Sequence, residues 1–331
     1  MASECRSIWS TLITMECKIC GNNDDNRPYK PREMMLGLRD EHSYFECAKC
    51  GCLQIESVPE NLPTYYPENY YSYKKTGTSN LLKKQLIRFR DQYAVAGKSL
   101  IGHLIYFSSP EPKLNTLKSL NLEKTSRIMD VGCGAGNLLY SLKEIGFENL
   151  LGIDPFNDDD IKYENGLTIE KKSLHEVNGE WDLIMFHHSF EHVYDQHEVL
   201  QKVHKLLAPN GSCLIRIPTV SSYAWMHYGL DWVQLDAPRH LFLHSVDSMR
   251  LLAEKNGFKL EHVLYDSNAL QFWGSEQYKK DIPLRDKKSY AESINNSIFT
   301  AKEIKTFEKR AKELNALNQG DQAAFYLKKI G

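Results

Sequence analysis

The sequence predicts an α/β protein: a doubly wound, mostly parallel sheet behind a small cysteine-bearing unit. Three observations lead there. Residues 126–154 read as strand, glycine turn, helix and strand, the turn being Gly132-Cys133-Gly134-Ala135-Gly136. Apolar runs of strand length recur at 167–170, 181–186, 212–217 and 259–265, separated by helical patterns at 196–207 and 246–256. Two C-x-x-C-G knuckles, Cys17-Cys20 and Cys47-Cys50, stand ahead of these units with 26 residues between them.

The knuckles come first in the chain. Each turns tightly on its glycine, so four thiolates can converge on one tetrahedral Zn²⁺ held by Cys17, Cys20, Cys47 and Cys50. With no open ligand position, the zinc is expected to be structural. A redox pair is the alternative for a single C-x-x-C, but two paired knuckles outside any βαβ unit argue against it. Cys52 breaks the spacing. A segment of this size is too small to build a core without its metal.

Length and charge set bounds. A chain of 331 residues has room for a main domain and a small one. Its net charge of −2 provides no basic field, so nucleic acid is not the expected partner. No apolar run is long enough to cross a membrane. Ile8 to Met15 is too short and polar for a signal peptide, so a cytoplasmic location is expected.

Between the units lies a stretch with three prolines and five tyrosines, including Tyr65, Tyr66, Tyr70 and Tyr71. It is either a linker whose rings pack across a junction or a lid whose phenols line a pocket. Residues 81–105 read as one basic amphipathic helix.

Glycines in the 132–136 turn let a ligand approach the backbone, and the following helix aims its N–H groups and dipole at the same space. Asp130 precedes the turn. Asp154, 24 residues later at the tip of the next strand, is placed to grip ribose hydroxyls. The dinucleotide spacing G-x-G-x-x-G is absent. The string D-V-G-C-G-A-G resembles motif I of the class I S-adenosylmethionine (SAM)-dependent methyltransferases, with Asp154 at the position of their ribose-binding acid. The resemblance implies a Rossmann-like, seven-stranded class I methyltransferase sheet with SAM as cofactor. It places Asp130, Gly132, Cys133, Gly134, Gly136, Asp154, Pro155, Ser173, Leu174 and His187 around that cofactor. The segment His187-His188-Ser189-Phe190-Glu191-His192 resembles the family's motif after strand four, beside the reacting methyl group.

The expected organisation is a flexible extension (1–14), a zinc ribbon (15–58), a Tyr/Pro-rich linker or lid (59–79), the SAM-dependent domain (80–280) and C-terminal helices (281–331). Those helices are expected to pack outside or to make a homodimer contact. The Phe272–Tyr278 segment is read as finishing the sheet.

Residues 219–245 fall where such enzymes insert acceptor-binding elements after strand five. Tyr223, Trp225, Trp232, Asp236 and Arg239, with Tyr70 and Tyr71, are the expected acceptor residues, Arg239 being alternatively a buried partner of Asp236. A hydroxyl acceptor needs a base. His240 and His192 lead, followed by His188 and His244, with Glu191 or Asp236 orienting an imidazole. With twelve histidines, any one of them is as readily a structural residue.

The order of ribbon, Y-Y-P-E-N-Y-Y, motif I and L-D-A-P-R-H-L resembles bacterial methyltransferases of sugars and surface polysaccharides. Their deoxysugar C-methylating members carry a further large C-terminal domain, so O-methylation of a sugar hydroxyl, in a small molecule or glycan, is the expected reaction. Two other readings stand. An RNA methyltransferase could use the ribbon and the cluster Lys83, Lys84, Arg88 and Arg90 as a grip. A non-catalytic SAM-binding protein is the third.

Overall fold

The structure is a computed structural model that describes residues 15–66 and 81–330. The N-terminal extension and the acceptor candidates Tyr70 and Tyr71 lie outside the described residues. In chain order the strands and helices are β1 (Arg27–Tyr29), β2 (Tyr44–Glu46), β3 (Leu53–Ile55), α1 (Leu81–Ala96), α2 (Leu100–Ser108), α3 (Pro112–Asn115), β4 (Arg127–Val131), α4 (Asn137–Glu144), β5 (Asn149–Ile153), β6 (Ile161–Lys162) and β7 (Thr168–Glu170). There follow β8 (Trp181–His187), α5 (Gln196–Leu206), β9 (Leu207–Pro218), α6 (Tyr223–Tyr228), β10 (Phe242–Leu243), α7 (Val246–Lys255), β11 (Phe258–Tyr265), α8 (Leu270–Lys279), α9 (Ala301–Ala316) and β12 (Gln322–Lys329).

The main sheet runs β11-β12-β9-β8-β4-β5-β7-β6. From β9 to β7 all neighbours are parallel, whereas β12 is antiparallel to both β9 and β11. This is the class I methyltransferase sheet of seven strands, extended at one edge by the two-residue β6, antiparallel to β7. The order reverses between β4 and β8, so the loops after those strands open a crevice at their carboxyl ends, where open α/β sheets bind ligands.

Alternation along the strands builds two cores. Met129, Ile184, Phe186, Ile215 and Phe325 face one side, and Ile128, Leu183, Met185, Leu214 and Tyr326 face the other. The first core is continuous with Tyr44, Phe45, Leu53 and Ile55 of the N-terminal unit and with Trp225 and Trp232 of the insertion. The unit is thus packed into the body of the protein.

Its sheet runs β1-β2-β3-β10. The last strand comes from the L-D-A-P-R-H-L-F-L stretch, pairing Phe242 with Gln54 and Leu243 with Leu53.

Three expectations are corrected. The basic helix over 81–105 is two helices, broken where Gly97 takes a φ of 67° and Ser99 caps α2 by accepting the Gly102 amide at 3.0 Å. The Phe272–Tyr278 segment lies in α8 rather than in the sheet, its Phe272, Ser275 and Tyr278 buried at helical spacing. The C-terminal stretch is not helical throughout, because β12 fills the place between β9 and β11 with six of its eight residues buried. A strand buried on both faces reads as a plain apolar run, here Ala323 to Leu327 bounded by Gly320 and two lysines.

Candidate active site

The loop after β4 is shaped by three glycines in the left-handed region: Gly132, Gly134 and Gly136, with φ of 70°, 56° and 73°. A Cβ on Gly136 would stand 2.2 Å from Cδ1 of Ile169, so the loop also needs glycine for packing. Asp154 holds the loop from below: Oδ2 accepts the Gly134 amide at 2.8 Å, and Oδ1 accepts that of Phe156 at 2.9 Å. Asn157 adds a bond from Nδ2 to the Gly134 carbonyl at 3.0 Å. Pro155 and Phe156 are exposed beside it.

Asp130 is buried, and its Oδ1 has no hydrogen-bond partner. Burial pushes its carboxyl up to about 8, with Lys113 pulling the other way and Asp154 adding to the rise. An orphaned buried acceptor beside loop amides fits a cationic ligand such as SAM. The Cys133 thiol is raised far above its ordinary value by burial and does not act as a thiolate. Ser173 caps the turn Leu174–Glu176, bonded through Oγ to Glu176 at 2.7 Å, and Leu174 is buried in the core. His187 ends β8 with both ring nitrogens unpartnered, and burial holds it neutral.

The turn Phe190–His192 follows directly. Glu191 on it is fully buried, and neither carboxylate oxygen accepts a hydrogen bond. Around its Oε1 stand Nδ1 of His188 at 3.4 Å and Nε2 of His240 at 3.9 Å. Burial alone would raise this carboxyl, but three imidazoles outweigh it and hold it at about 2.

His192 is half-buried, and its Nδ1 lies 2.8 Å from the Arg239 carbonyl. His240 Nδ1 lies 2.8 Å from the Gln234 carbonyl. A carbonyl only accepts, so both Nδ1 atoms carry a proton, and in its neutral form each ring has its lone pair on Nε2. The rings of His192 and His240 are 4.9 Å apart, centre to centre.

His188 is differently placed. Its Nε2 accepts from Arg216 at 2.7 Å, and Arg216 is in turn paired with Asp266 at 2.7 Å. Its accepting nitrogen is therefore occupied.

The structure thus brings His192, His240 and Glu191 together at the turn after β8, whose Ser189 packs against Gly132 of the glycine loop, and it corrects other expectations. His244 is fully buried with both ring nitrogens bonded, to Gln196 at 2.8 Å and to Ser248 at 2.9 Å, and burial lowers it to about 3. It holds the fold together and is no base. Arg239 is fully buried, paired with Asp236 and Glu33 and bonded to the Tyr65 carbonyl at 2.9 Å. It is out of reach of an acceptor, and Asp236 is its partner. Trp232 is buried and donates to Asp321 at 2.9 Å, and Trp225 packs edge-on to Tyr29. Both are interior rings, whereas Tyr223 is half-buried and stacks on His227.

Sequence reasoning missed Arg216, Asp266 and Asn157, and it named Tyr66 only as one ring of the linker or lid. Tyr66 places its hydroxyl 3.3 Å from Nδ1 of His192. Arg216 had a signal: a lone charge inside the apolar strand S-C-L-I-R-I.

The four cysteines converge, with Cys17 and Cys50 sulfurs 3.6 Å apart and those of Cys20 and Cys47 3.5 Å apart. All four sulfurs lie within 4.8 Å of one another, a set that could hold a metal ion. Sulfurs bound tetrahedrally at about 2.3 Å would be roughly 3.8 Å apart. Gln54 donates to Cys17 Sγ at 3.0 Å, as an outer partner of a ligand does. Cys52 turns away toward the Leu53 carbonyl.

Residues 106–263 match the family described as "Methyltransferase domain". Among solved structures, an S-adenosylmethionine-dependent methyltransferase from Mesorhizobium loti is 17% identical, with a TM-score of 0.42 over 66% of this chain and 99% of that one. The cyclopropane synthase MmaA2 from Mycobacterium tuberculosis is 14% identical, with a TM-score of 0.40 over 77% and 100%. A SAM-dependent methyltransferase from Archaeoglobus fulgidus is 19% identical, with a TM-score of 0.40 over 74% and 94%. No curated protein matches the chain. The chain thus carries a methyltransferase domain over residues 106–263, on a sheet of class I order.

Proposed function

We propose that the protein methylates a hydroxyl of a sugar, in a nucleotide sugar or a surface glycan. The observation that carries this reading is the cluster of Glu191, His192 and His240, with each ring's Nδ1 held by a backbone carbonyl and Nε2 of His240 3.9 Å from the buried Glu191 carboxylate. SAM supplies a methyl group already activated on a sulfonium. The protein's part is to align the acceptor oxygen and to take its proton, and a neutral imidazole with a free Nε2 does this near neutral pH. As the oxygen–carbon bond forms, the carbon–sulfur bond breaks and the proton passes to His240 or His192. Glu191 then stabilises the imidazolium.

Asp130, Asp154 and the amides of 132–136 would hold the cofactor. Asp154 keeps a further lone pair on each oxygen for ribose hydroxyls while it holds the amides of Gly134 and Phe156. Tyr66 and the half-buried Tyr223 remain as rings for a pyranose face, since Trp225 and Trp232 are interior. Four cysteines with an outer-shell amide suit a structural Zn²⁺. The RNA reading gains no specific support: Arg88 pairs with Glu144, Arg90 with Asp91, and the N-terminal unit is stitched into the fold.

The test is transfer of labelled methyl from SAM into nucleotide sugars, crude polysaccharide and total RNA. Label in a sugar fraction, lost in His240→Ala, supports the proposal. Label in RNA that disappears with nuclease overturns it.

A further inference from the structure

We propose that Glu191, His192 and His240 bind one borderline divalent cation at the acceptor side of the site, separate from the four cysteines. One ligand atom from each residue lies within 4.8 Å of the other two, with Glu191 and His240 buried and His192 half-buried.

The argument is electrostatic. Backbone carbonyls of Arg239 and Gln234 fix a proton of each imidazole on Nδ1, so in its neutral form each ring presents a lone pair on Nε2. The fully buried carboxylate between them accepts no hydrogen bond. His188 Nδ1 stands 3.4 Å from Oε1 of Glu191 and Asp236 Oδ2 3.7 Å from Nε2 of His240, so carboxylates outnumber donors in this buried space and a positive charge among them is favoured. The Nε2 of His240 is 3.9 Å from Oε1 of Glu191, too long for a hydrogen bond. That separation is within the span of two ligands on one ion, roughly 3.0–4.2 Å for bonds of about 2.1 Å.

Metal-binding imidazoles usually donate their other N–H to a carbonyl or carboxylate, as both rings do here. Two imidazoles and one carboxylate suit Zn²⁺, Mn²⁺, Fe²⁺ or Co²⁺ better than the oxygen-seeking Mg²⁺ or Ca²⁺. The half-exposed flank at His192, next to Tyr66, leaves an approach for a further oxygen ligand. An acceptor hydroxyl filling that position would be acidified by the cation; both imidazoles would then be ligands rather than bases, and the proton would pass to solvent water at the exposed flank. This use of the ion rests on the hydroxyl-acceptor reading; the binding itself does not.

Mn²⁺ is the probe, because it binds thiolates too weakly to displace Zn²⁺ from the four cysteines. Full-length protein carrying one Zn²⁺ per chain, on the four cysteines, would be titrated with MnCl₂ while free Mn²⁺ is followed by electron paramagnetic resonance. One Mn²⁺ bound per chain, with affinity at least tenfold weaker in Glu191→Gln and in His240→Gln, is the expected result. SAM binding and the melting curve show that each variant is folded. His192→Gln, at a half-exposed position, serves if the buried variants are not. Wild-type protein that takes up neither Mn²⁺ nor Co²⁺ beyond its Zn²⁺, or a folded Glu191→Gln that keeps the ion, overturns the site. Mn²⁺ binding without methylation of any sugar would uphold the site and sink the sugar reading. Sugar methylation by protein that holds no second ion would do the reverse.

Discussion

Tyr44 donates its phenol to the backbone carbonyl of His240 at 2.8 Å, joining residues 196 positions apart. It belongs to a seam in which the Ile55 amide reaches the Leu241 carbonyl and Ser245 reaches the Cys50 carbonyl. The Leu241 amide continues it to the Glu191 carbonyl at 2.8 Å. The four-cysteine unit is therefore the floor on which the His240 loop is laid, and its integrity should matter to the chemistry more than to the cofactor. Tyr44→Phe leaves a buried carbonyl unpaired, a cost of about 1–3 kcal/mol. We expect a melting temperature lower by several degrees and a severalfold lower kcat, with SAM affinity unchanged by calorimetry. Cys47→Ser, or chelation of a metal held by the four cysteines, should give the same split in stronger form. Equal losses of kcat and SAM affinity would contradict this division of labour.

His240 and His192 face one carboxylate, so their removal should not be additive. Each single change to Gln is expected to lower kcat at least a hundredfold with SAM binding intact, and the double variant to lose little more. Steady-state kinetics of the three variants check this. Full additivity would mean that the rings act independently of Glu191.

Asp130 predicts a pH dependence with a definite sign. Its folded-state value, about 8, lies above that of an unfolded aspartate, so the folded protein holds a proton the unfolded chain has lost. The stability this gives is fully present below about pH 4 and is lost as pH rises toward 8. Asp130→Asn should therefore raise the melting temperature of the cofactor-free protein at pH 8 by several degrees and change it little at pH 4. SAM carries positive charge, so wild-type affinity should rise between pH 6 and 8. That rise should be absent in the Asn variant when binding is measured by calorimetry.

The fold was legible where one rule dominates. The loop glycines announce themselves because no other residue fits, and β4 and β8 because a central parallel strand is a plain apolar run. The same pattern in Ala323 to Leu327 was overlooked because charged helical residues surround it. The candidate site was legible only in part. His192 and Glu191 follow from residue type just past a recognisable strand end, and His240 from the polar, aromatic insertion after strand five. By contrast, the burial of Arg239, Trp232 and His244 depends on partners as distant as Glu33 and Asp321, which no local pattern reveals. The insertion's polar and aromatic residues build an interior seam as much as a pocket, and composition cannot tell the two apart.

Arg216 is the sharpest test of how the site is held. It leaves the middle of β9 nearly buried, with Nε on Asp266 at 2.7 Å and Nη1 on His188 at 2.7 Å. His188 itself sits at a φ of 54°, a conformation that needs support from its side chain. Arg216→Leu would strand the Asp266 carboxylate, which is only 12% exposed, and leave His188 without its donor. Breaking one side of a buried pair costs about 3–5 kcal/mol. Arg216→Lys keeps the charge but has no planar fork to serve both partners, so it should recover only part of the loss. Chemical denaturation should rank wild type above Lys above Leu. The paired replacement Arg216→Leu with Asp266→Leu should regain stability relative to Arg216→Leu alone, because no stranded charge remains. Activity should not return with it, since His188 would still lack its donor at the turn that carries Glu191.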